Sequence, residues 1–467
     1  MTYAAFLTRL LENLEVYGVI LVLAAVVHLL VYRKYILGFF DPFFFVFVVT
    51  YIFSSSVVVF LWYDGQITHD YGIYYLLSQL AFYAGFRLLA MPWYQARGAG
   101  PGRQASADFG ALEWRELDIC YLTAAILYVV AQLTVYLAIG VPAFMESRWE
   151  TYSSGKGLGI LERVISITRF VVIFALFARY FYARGTKRLA RGSDLPVFLF
   201  MLVASILSGA KIAIIEIPFI SFYASMCVAR RFGWDWKDCV RHLRTMKWFV
   251  ILGVPPAILI SFFHVLASGQ IAEAGDADVL VLLTGLLTRM VYTGDIYFLS
   301  WPEDALQQLN SHGLGFLALF RNLLEMFRVV PSAELPVDIG FQIFNYHYPQ
   351  NAVLSGPGAH FDVFGLFYFG FTGGLVLSLV VGAILGWAVV SLRRLVPASW
   401  LGGLTYGVIA YNVLVFNLNP SVGLSVTMNV LFVFVPLVIV TKLVSRRPPR
   451  RPARVSTRGL AEPAQAS

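Results

Sequence analysis

The chain has 467 residues, of which 59% are hydrophobic, 16% are aromatic and only 13% are charged, and its mean hydropathy is +0.72. These values exclude an ordinary soluble protein and supply enough apolar sequence for about ten membrane spans of ~20 residues. The net charge of +8 does not indicate a nucleic-acid partner, because the cations lie in short loops and in the C-terminal tail, where they orient the chain against anionic lipid. The composition predicts an all-α, polytopic protein of the lipid bilayer.

Taken in chain order, apolar runs of spanning length predict eleven transmembrane helices. Basic residues fall at every second connection between them and in the tail from Lys442 to Arg458, so these connections and the C-terminus are expected in the cytoplasm and the N-terminus outside. The predicted spans are 16–32, 42–62, 72–92, 118–140, 160–182, 195–209, 212–229, 249–267, 361–392, 401–418 and 422–442.

The segment 268–360 differs from the other connections, because it contains nine carboxylates against three cations. An acidic segment between basic ones is expected to face outward. Its apolar run 279–288 is predicted to lie at the interface or to re-enter the membrane. The chain then divides into an N-terminal transmembrane bundle (1–267), an external loop domain with amphipathic helices (268–360), C-terminal transmembrane helices (361–442) and a disordered basic cytoplasmic tail (443–467).

Four cations are expected near the outer face, against the trend that the rest of the chain follows. They are Arg163, Arg169, Lys211 and Arg289, and Glu216 is the predicted partner of Arg169 or Lys211. Each could form a structural ion pair or extend to the lipid headgroups. As a set they favour an anion at the outer interface, such as a lipid pyrophosphate, because Arg matches phosphate oxygens and Lys supplies a point charge.

A histidine and a carboxylate follow a Gly/Pro-rich turn in the sequence GPGAHFD, which leads into the span 361–392. His360 is expected at the outer mouth of this helix, where it could take a proton from a sugar hydroxyl while Asp362 orients it, or Asp362 could act directly. A histidine in this position is also a common capping residue. Further candidates in 268–360 for contact with substrate are Tyr292, Asp295, Tyr346 and His347, and Tyr297, Trp301 and Tyr348 are further aromatic candidates for stacking on sugar faces.

No metal site and no cofactor are predicted, since the three cysteines and seven histidines show no zinc-like spacing. The sequence Ser154-Gly155-Lys156-Gly157 lacks the spacing of a phosphate-binding loop and is expected outside, where ATP is absent. A donor substrate would therefore be linked to lipid.

The hairpin Ser208-Gly209-Ala210-Lys211 resembles the serine-glycine-serine-arginine hairpin of bacterial O-antigen polymerases and ligases, with Lys211 in place of arginine. The junction Ala359-His360-Phe361-Asp362 is similar to the loop-to-helix junction of the same family, in which the ligases carry His-Asn and the polymerases of the Wzy type often carry a carboxylate. The resemblance implies a C-type glycosyltransferase fold in the bacterial cytoplasmic membrane.

The resemblance also implies metal-independent, inverting transfer of a glycan from undecaprenyl pyrophosphate to a lipid-linked glycan acceptor. Arg289, Lys211, Arg163 and Arg169 would hold the pyrophosphate and stabilise the leaving charge, and His360 or Asp362 would deprotonate the acceptor. A polymerase of oligosaccharide repeat units, with a chain-length regulator as a further partner, is the leading hypothesis. An O-antigen-type ligase and a lipid-linked glycan flippase or transporter are the alternatives.

Overall fold

The computed structural model describes residues 1–38, 40–90, 111–142, 159–185, 194–208, 211–232, 291–309, 314–331, 334–350, 356–396 and 399–446. Within these ranges the protein is all-helical and contains no strand. The principal helices are α1 (Tyr3–Glu12), α2 (Leu14–Tyr32), α3 (Phe43–Tyr63), α4 (His69–Ala90), α5 (Ala111–Ile139), α6 (Gly159–Gly185), α7 (Asp194–Leu207), α8 (Lys211–Phe232), α9 (Asp295–Ser300), α10 (Gly315–Met326), α11 (Ile339–His347), α12 (Phe361–Leu395), α13 (Trp400–Leu418) and α14 (Pro420–Ser445).

Several helices are long and apolar enough to cross a membrane, so the chain is a helical membrane protein. Among the described residues there are six of these, namely α2, α3, α5, α12, α13 and α14. The predicted spans 72–92, 160–182, 195–209 and 212–229 coincide with α4, α6, α7 and α8, and the predicted span 249–267 lies outside the described residues. The total of eleven spans and the side on which the C-terminus lies stay predictions.

The helices bury their apolar side chains in two regions. One core joins α5, α6, α8, α13 and α14. The other region comprises two clusters: one joins α1 to α4 with α9, α11 and the beginning of α12, and one joins α2 to α4 with the later part of α12 and the end of α13. Residues 291–309, part of the predicted external domain, thus share a core with the N-terminal helices. Tyr297 and Trp301 are fully buried there, so these two aromatic side chains are not exposed for stacking on a sugar.

The closest helix packing in the second region is between α4 and α12. Small residues every four positions of α12 let the two backbones approach, which is a common means of helix association in membranes. Residues of α4 meet α12 residues about three hundred positions later in the same order, so the two helices are parallel. The pairs are Tyr74 with Gly374, Ser78 with Ser378, Phe82 with Gly382 and Phe86 with Gly386.

The helix α12 is interrupted at Gly370, whose φ of 68° lies in the left-handed region. A Cβ on Gly365 would lie 2.8 Å from the Cα of Gly374. In a continuous helix these two residues would be about 13.5 Å apart along the axis. The chain therefore reverses at Gly370, and a short helix, α12a (361–369), packs back against the long arm, α12b (371–395).

Candidate functional site

The reversal at Gly370 places Asp362 beside Gln79 of α4. His360 precedes the first residue of α12 and Asp362 lies in its first turn, so the pair is at the beginning of a helix, as predicted. The Asp362 side chain is fully buried, and His360 is 3% exposed. The backbone before them is closely packed, because Gly356 and Gly358 lie against the backbones of Gly340 and Leu418, respectively. This burial was not predicted, since hydropathy does not reveal a reversal within an apolar run.

The carboxylate of Asp362 accepts hydrogen bonds from three sides. The Tyr297 hydroxyl lies 2.8 Å from Oδ2 and 3.0 Å from Oδ1, the Gln79 amide lies 3.3 Å from Oδ2, and the backbone N–H of Val363 lies 2.8 Å from Oδ1. The Tyr74 hydroxyl donates to the Asp362 backbone carbonyl at 2.9 Å. None of the ion pairs between described residues involves this carboxylate. Neutral donors therefore hold it in place.

The His360 ring lies between two tyrosines, with ring centroids 5.4 Å from Tyr297 and 5.6 Å from Tyr51. Burial lowers the pKa of His360 to about 4, so the imidazole is neutral near pH 7. The backbone of Thr293 hydrogen-bonds to the ring, whereas Nδ1 and the Tyr51 hydroxyl have no hydrogen-bond partner among the described residues. No hydrogen bond in the described part of the chain joins His360 to Asp362, so the carboxylate does not orient this ring directly.

The predicted cations Arg163 and Arg169 lie on α6, near α8, α13 and α14. Arg169 forms an ion pair with Glu216, which also accepts a hydrogen bond from the Tyr411 hydroxyl at 3.1 Å. Glu216 as the partner of Arg169 is therefore confirmed. Arg163 donates to the Asn429 amide oxygen at 2.7 Å and is only partly buried.

Arg321 of α10, for which the sequence predicted no role, is connected to Arg163 through a carboxylate. Arg163 interacts electrostatically with Glu162 on its own helix and with Glu325 of α10, and Arg321 is one helical turn before Glu325 on the same face. Arg321 in turn interacts electrostatically with Tyr368 on α12a. We call the surface formed by Arg163, Arg321, Asn322, Ser421 and Asn429 the arginine surface.

Two further predicted cations lie outside this description. Arg289 is not among the described residues, and Lys211 begins α8 but its side chain is not described. Their proposed roles stay predictions.

The remaining predicted residues gather around α1 instead of around Asp362. The Tyr3 hydroxyl donates to Asp295 at 2.9 Å, and the Tyr3 ring lies 4.7 Å from the ring of Tyr292. His347 hydrogen-bonds to the Leu299 carbonyl at 2.7 Å. Burial raises the pKa of Asp295 to about 7. The structure thus separates Tyr292, Asp295 and His347 from the Asp362 carboxylate.

Tyr346 is 39% exposed, and its hydroxyl donates to Gln308 at 2.7 Å. It is the member of the predicted aromatic set that the structure leaves most accessible.

Sequence reasoning missed Gln79, Tyr74 and Arg321. A glutamine in the middle of a predicted span is a signal that could have identified Gln79, because an amide inside a membrane requires a hydrogen-bond partner. Tyr74 carries no such signal, since tyrosines are also common in helices at the membrane interface.

Fold and site together define a helical membrane protein in which a short helix, folded back at Gly370, carries a buried carboxylate. No family model, curated protein or solved structure matches this chain.

Proposed function

We propose that this protein is a membrane glycosyltransferase that polymerises oligosaccharide repeat units linked to undecaprenyl pyrophosphate on the outer face of the bacterial cytoplasmic membrane. The observation that supports it best is the position of α12a. Its N-terminal end carries the buried Asp362 and follows His360, and its other end packs against α10, where Phe369 lies 5.5 Å from Phe316. A group for proton transfer and a surface that presents two arginines thus adjoin one short helix.

The arginine surface would receive the pyrophosphate of the donor. Arg163 is partly exposed and donates to the neutral amide of Asn429. It interacts electrostatically with Glu162 and Glu325 but forms no direct ion pair among the described residues. An arginine fork matches phosphate oxygens and stabilises the charge that develops as the pyrophosphate leaves. Arg169 is less suited to this role because it is already paired with Glu216.

The reaction requires one proton acceptor. The acceptor hydroxyl attacks the anomeric carbon of the donor glycan, the bond from that carbon to the phosphate oxygen breaks, and lipid pyrophosphate leaves with the bonding electrons. The hydroxyl proton passes to the enzyme. His360 is the better candidate for this step, because its neutral ring has a buried Nδ1 with no described partner, whereas three donors occupy the Asp362 carboxylate. Asp362 then positions Tyr297, against which the His360 ring packs.

The test is polymerisation by purified full-length protein in nanodiscs, supplied with a lipid-linked repeat unit. Wild-type protein should produce a ladder of lipid-linked oligomers. Arg163→Ala should lower the rate by about 100- to 1,000-fold, the usual effect of removing one group that stabilises developing charge. Arg87→Ala is the matched control, because Arg87 is an exposed arginine on α4.

The outcomes discriminate among the hypotheses. Transfer to a lipid core acceptor without oligomers would indicate a ligase instead. No transfer by the wild-type protein to either acceptor would refute the proposal, and an unchanged rate for Arg163→Ala would remove the arginine surface from the mechanism.

A further inference from the structure

A cleft of about 450 Å³ lies beside α12a and contains none of the residues assigned so far, apart from Tyr74. The first turns of α4 form one wall, residues 304–309 form the second, and the two sides of the turn at Gly370 form the third. Its volume lies within the range of small-molecule sites, roughly 300–1,000 Å³. The described lining residues are Thr68, Asp70, Tyr71, Tyr74, Asp304, Leu306, Gln307, Leu309, Leu366, Phe367 and Phe371.

The aromatic part of the lining is held rigidly. Tyr71 stacks on the buried Trp301, with ring centroids 5.4 Å apart and an interplanar angle of 14°. Its hydroxyl interacts with Gln307 and Asp304. Tyr74 packs edge-on against Phe371 at 5.2 Å. A ligand therefore meets fixed aromatic faces rather than mobile side chains.

The polar part of the lining selects against anions. Asp70 and Asp304 contribute carboxylates and Gln307 contributes an amide, while none of the described lining residues is Lys or Arg. A phosphate or a carboxylate in this cleft would meet like charge. Hydroxyl and ammonium groups would instead donate charge-assisted hydrogen bonds to the two carboxylates.

We propose that this cleft is a saccharide subsite that takes a neutral or amine-bearing sugar ring. Such a ring has an apolar C–H face that packs on aromatic side chains and an edge of hydroxyls that donate to carboxylates and amides. These are the two kinds of surface that the lining combines, at a size that fits one or two rings. An anionic sugar and the pyrophosphate itself are excluded by the charge of the lining.

The cleft is joined to the candidate reaction centre through one side chain. Tyr74 lines the cleft, and its hydroxyl donates to the backbone carbonyl of Asp362 at 2.9 Å. A ring held against Tyr74 would therefore be next to α12a. The assignment of that ring as part of the transferred or accepting glycan rests on the proposed function, whereas the binding of the ring does not.

The binding test uses the full-length protein in nanodiscs, because maltoside detergents carry sugar headgroups that would compete. Saturation-transfer difference NMR would be recorded with methyl glucoside, N-acetylglucosamine, glucosamine, glucuronic acid and glucose 1-phosphate as separate probes, all of which carry C–H protons. We expect signals from the first three probes and none from the two anions. Asp304→Asn and Tyr71→Ala should each lower the apparent affinity for these probes at least about tenfold, as expected for loss of a charge-assisted hydrogen bond or of an aromatic face.

The control is Glu12→Gln, an exposed carboxylate on α1 away from the cleft lining, and it should leave binding unchanged. Asp304→Asn retains the shape of the side chain, so it keeps the test valid if Tyr71→Ala lowers the yield of folded protein. Equal binding of neutral and anionic probes, or binding unaffected by both cleft variants, would overturn the proposal.

The two proposals fail in different ways. Sugar binding that depends on Asp304, with no transfer from a lipid-linked donor, would refute the proposed function and leave the subsite standing. Polymer formation at the wild-type rate by Asp304→Asn and by Tyr71→Ala would refute the assignment of the bound ring to the transferred or accepting glycan and leave the proposed function standing.

Discussion

Replacing Tyr297 with Phe should destabilise the protein more than the same replacement at Tyr75. Both side chains are fully buried and pack edge-on against each other at 5.6 Å, and both changes remove a single oxygen. The Tyr297 hydroxyl donates to both oxygens of the Asp362 carboxylate, whereas the Tyr75 hydroxyl is 2.6 Å from the neutral Ser55 hydroxyl. Hydrogen bonds to charged groups contribute about 1.5–3 kcal/mol to stability, against about 0.5–1.5 kcal/mol for neutral pairs.

The expected difference between the two variants is therefore roughly 1–2 kcal/mol. It would be measured as the change in free energy of unfolding in mixed micelles, with the fraction folded followed by near-UV circular dichroism. Combining Tyr297→Phe with Asp362→Asn completes a double-mutant cycle, which isolates the coupling between the two side chains. Equal destabilisation by the two Tyr→Phe changes, with a coupling energy near zero, would refute the view that Tyr297 holds an ionised Asp362.

Three further predictions concern the residues around the site. Asp295→Asn should flatten the pH dependence of stability. Because the pKa of Asp295 is raised to about 7 in the fold, the native state binds a proton more tightly than the unfolded chain, so the stabilisation by this proton is greatest near pH 4 and is lost as the pH rises to about 7. Thermal melts across this pH range would show the difference. Gly382→Leu should lower the yield of folded protein, since a side chain there meets the Phe82 backbone carbonyl, whereas Gly18→Leu should be tolerated because Gly18 has open space around it; size-exclusion profiles compare the two. Arg169→Gln should cost about 3–5 kcal/mol by leaving Glu216 unpaired, and Glu216→Gln in the same chain should recover part of this loss in the same unfolding assay.

The positions of the helices were predictable because hydropathy is a local property. Each predicted span within the described residues coincides with a helix. The four-residue spacing of Gly374, Ser378, Gly382 and Gly386 is also visible in the sequence, but it does not identify the partner helix. The partner is α4, which also carries a small residue at the contact: Gly85 packs on the backbone of Leu379.

The candidate site was harder to predict because its geometry depends on distant contacts. The motif Gly370-Phe371-Thr372-Gly373-Gly374 contains three glycines, and only Gly370 among them has a positive φ. This choice depends on the close approach of Gly365 to Gly374 once the chain has turned. Tyr297, the principal donor to Asp362, is 65 residues away along the chain, so no local pattern reports the pairing.

The helix α4 shows that polar residues of a candidate site can prevent a helix from being recognised as a membrane span by its hydropathy. It coincides with a predicted span and packs against α12b from Gly374 to Gly386. It is nevertheless not among the six described helices that qualify as membrane spans by length and composition. Its polar groups include Tyr74 and Gln79, which contact the backbone and the side chain of Asp362. Polar side chains inside a membrane bundle form hydrogen bonds with one another or with the backbone, and they often mark a functional site in the bundle interior. The polar residues that lower the hydropathy of α4 also connect the sugar-sized cleft to the buried carboxylate. A variant in which α4 is uniformly apolar should therefore keep the helix and lose the site.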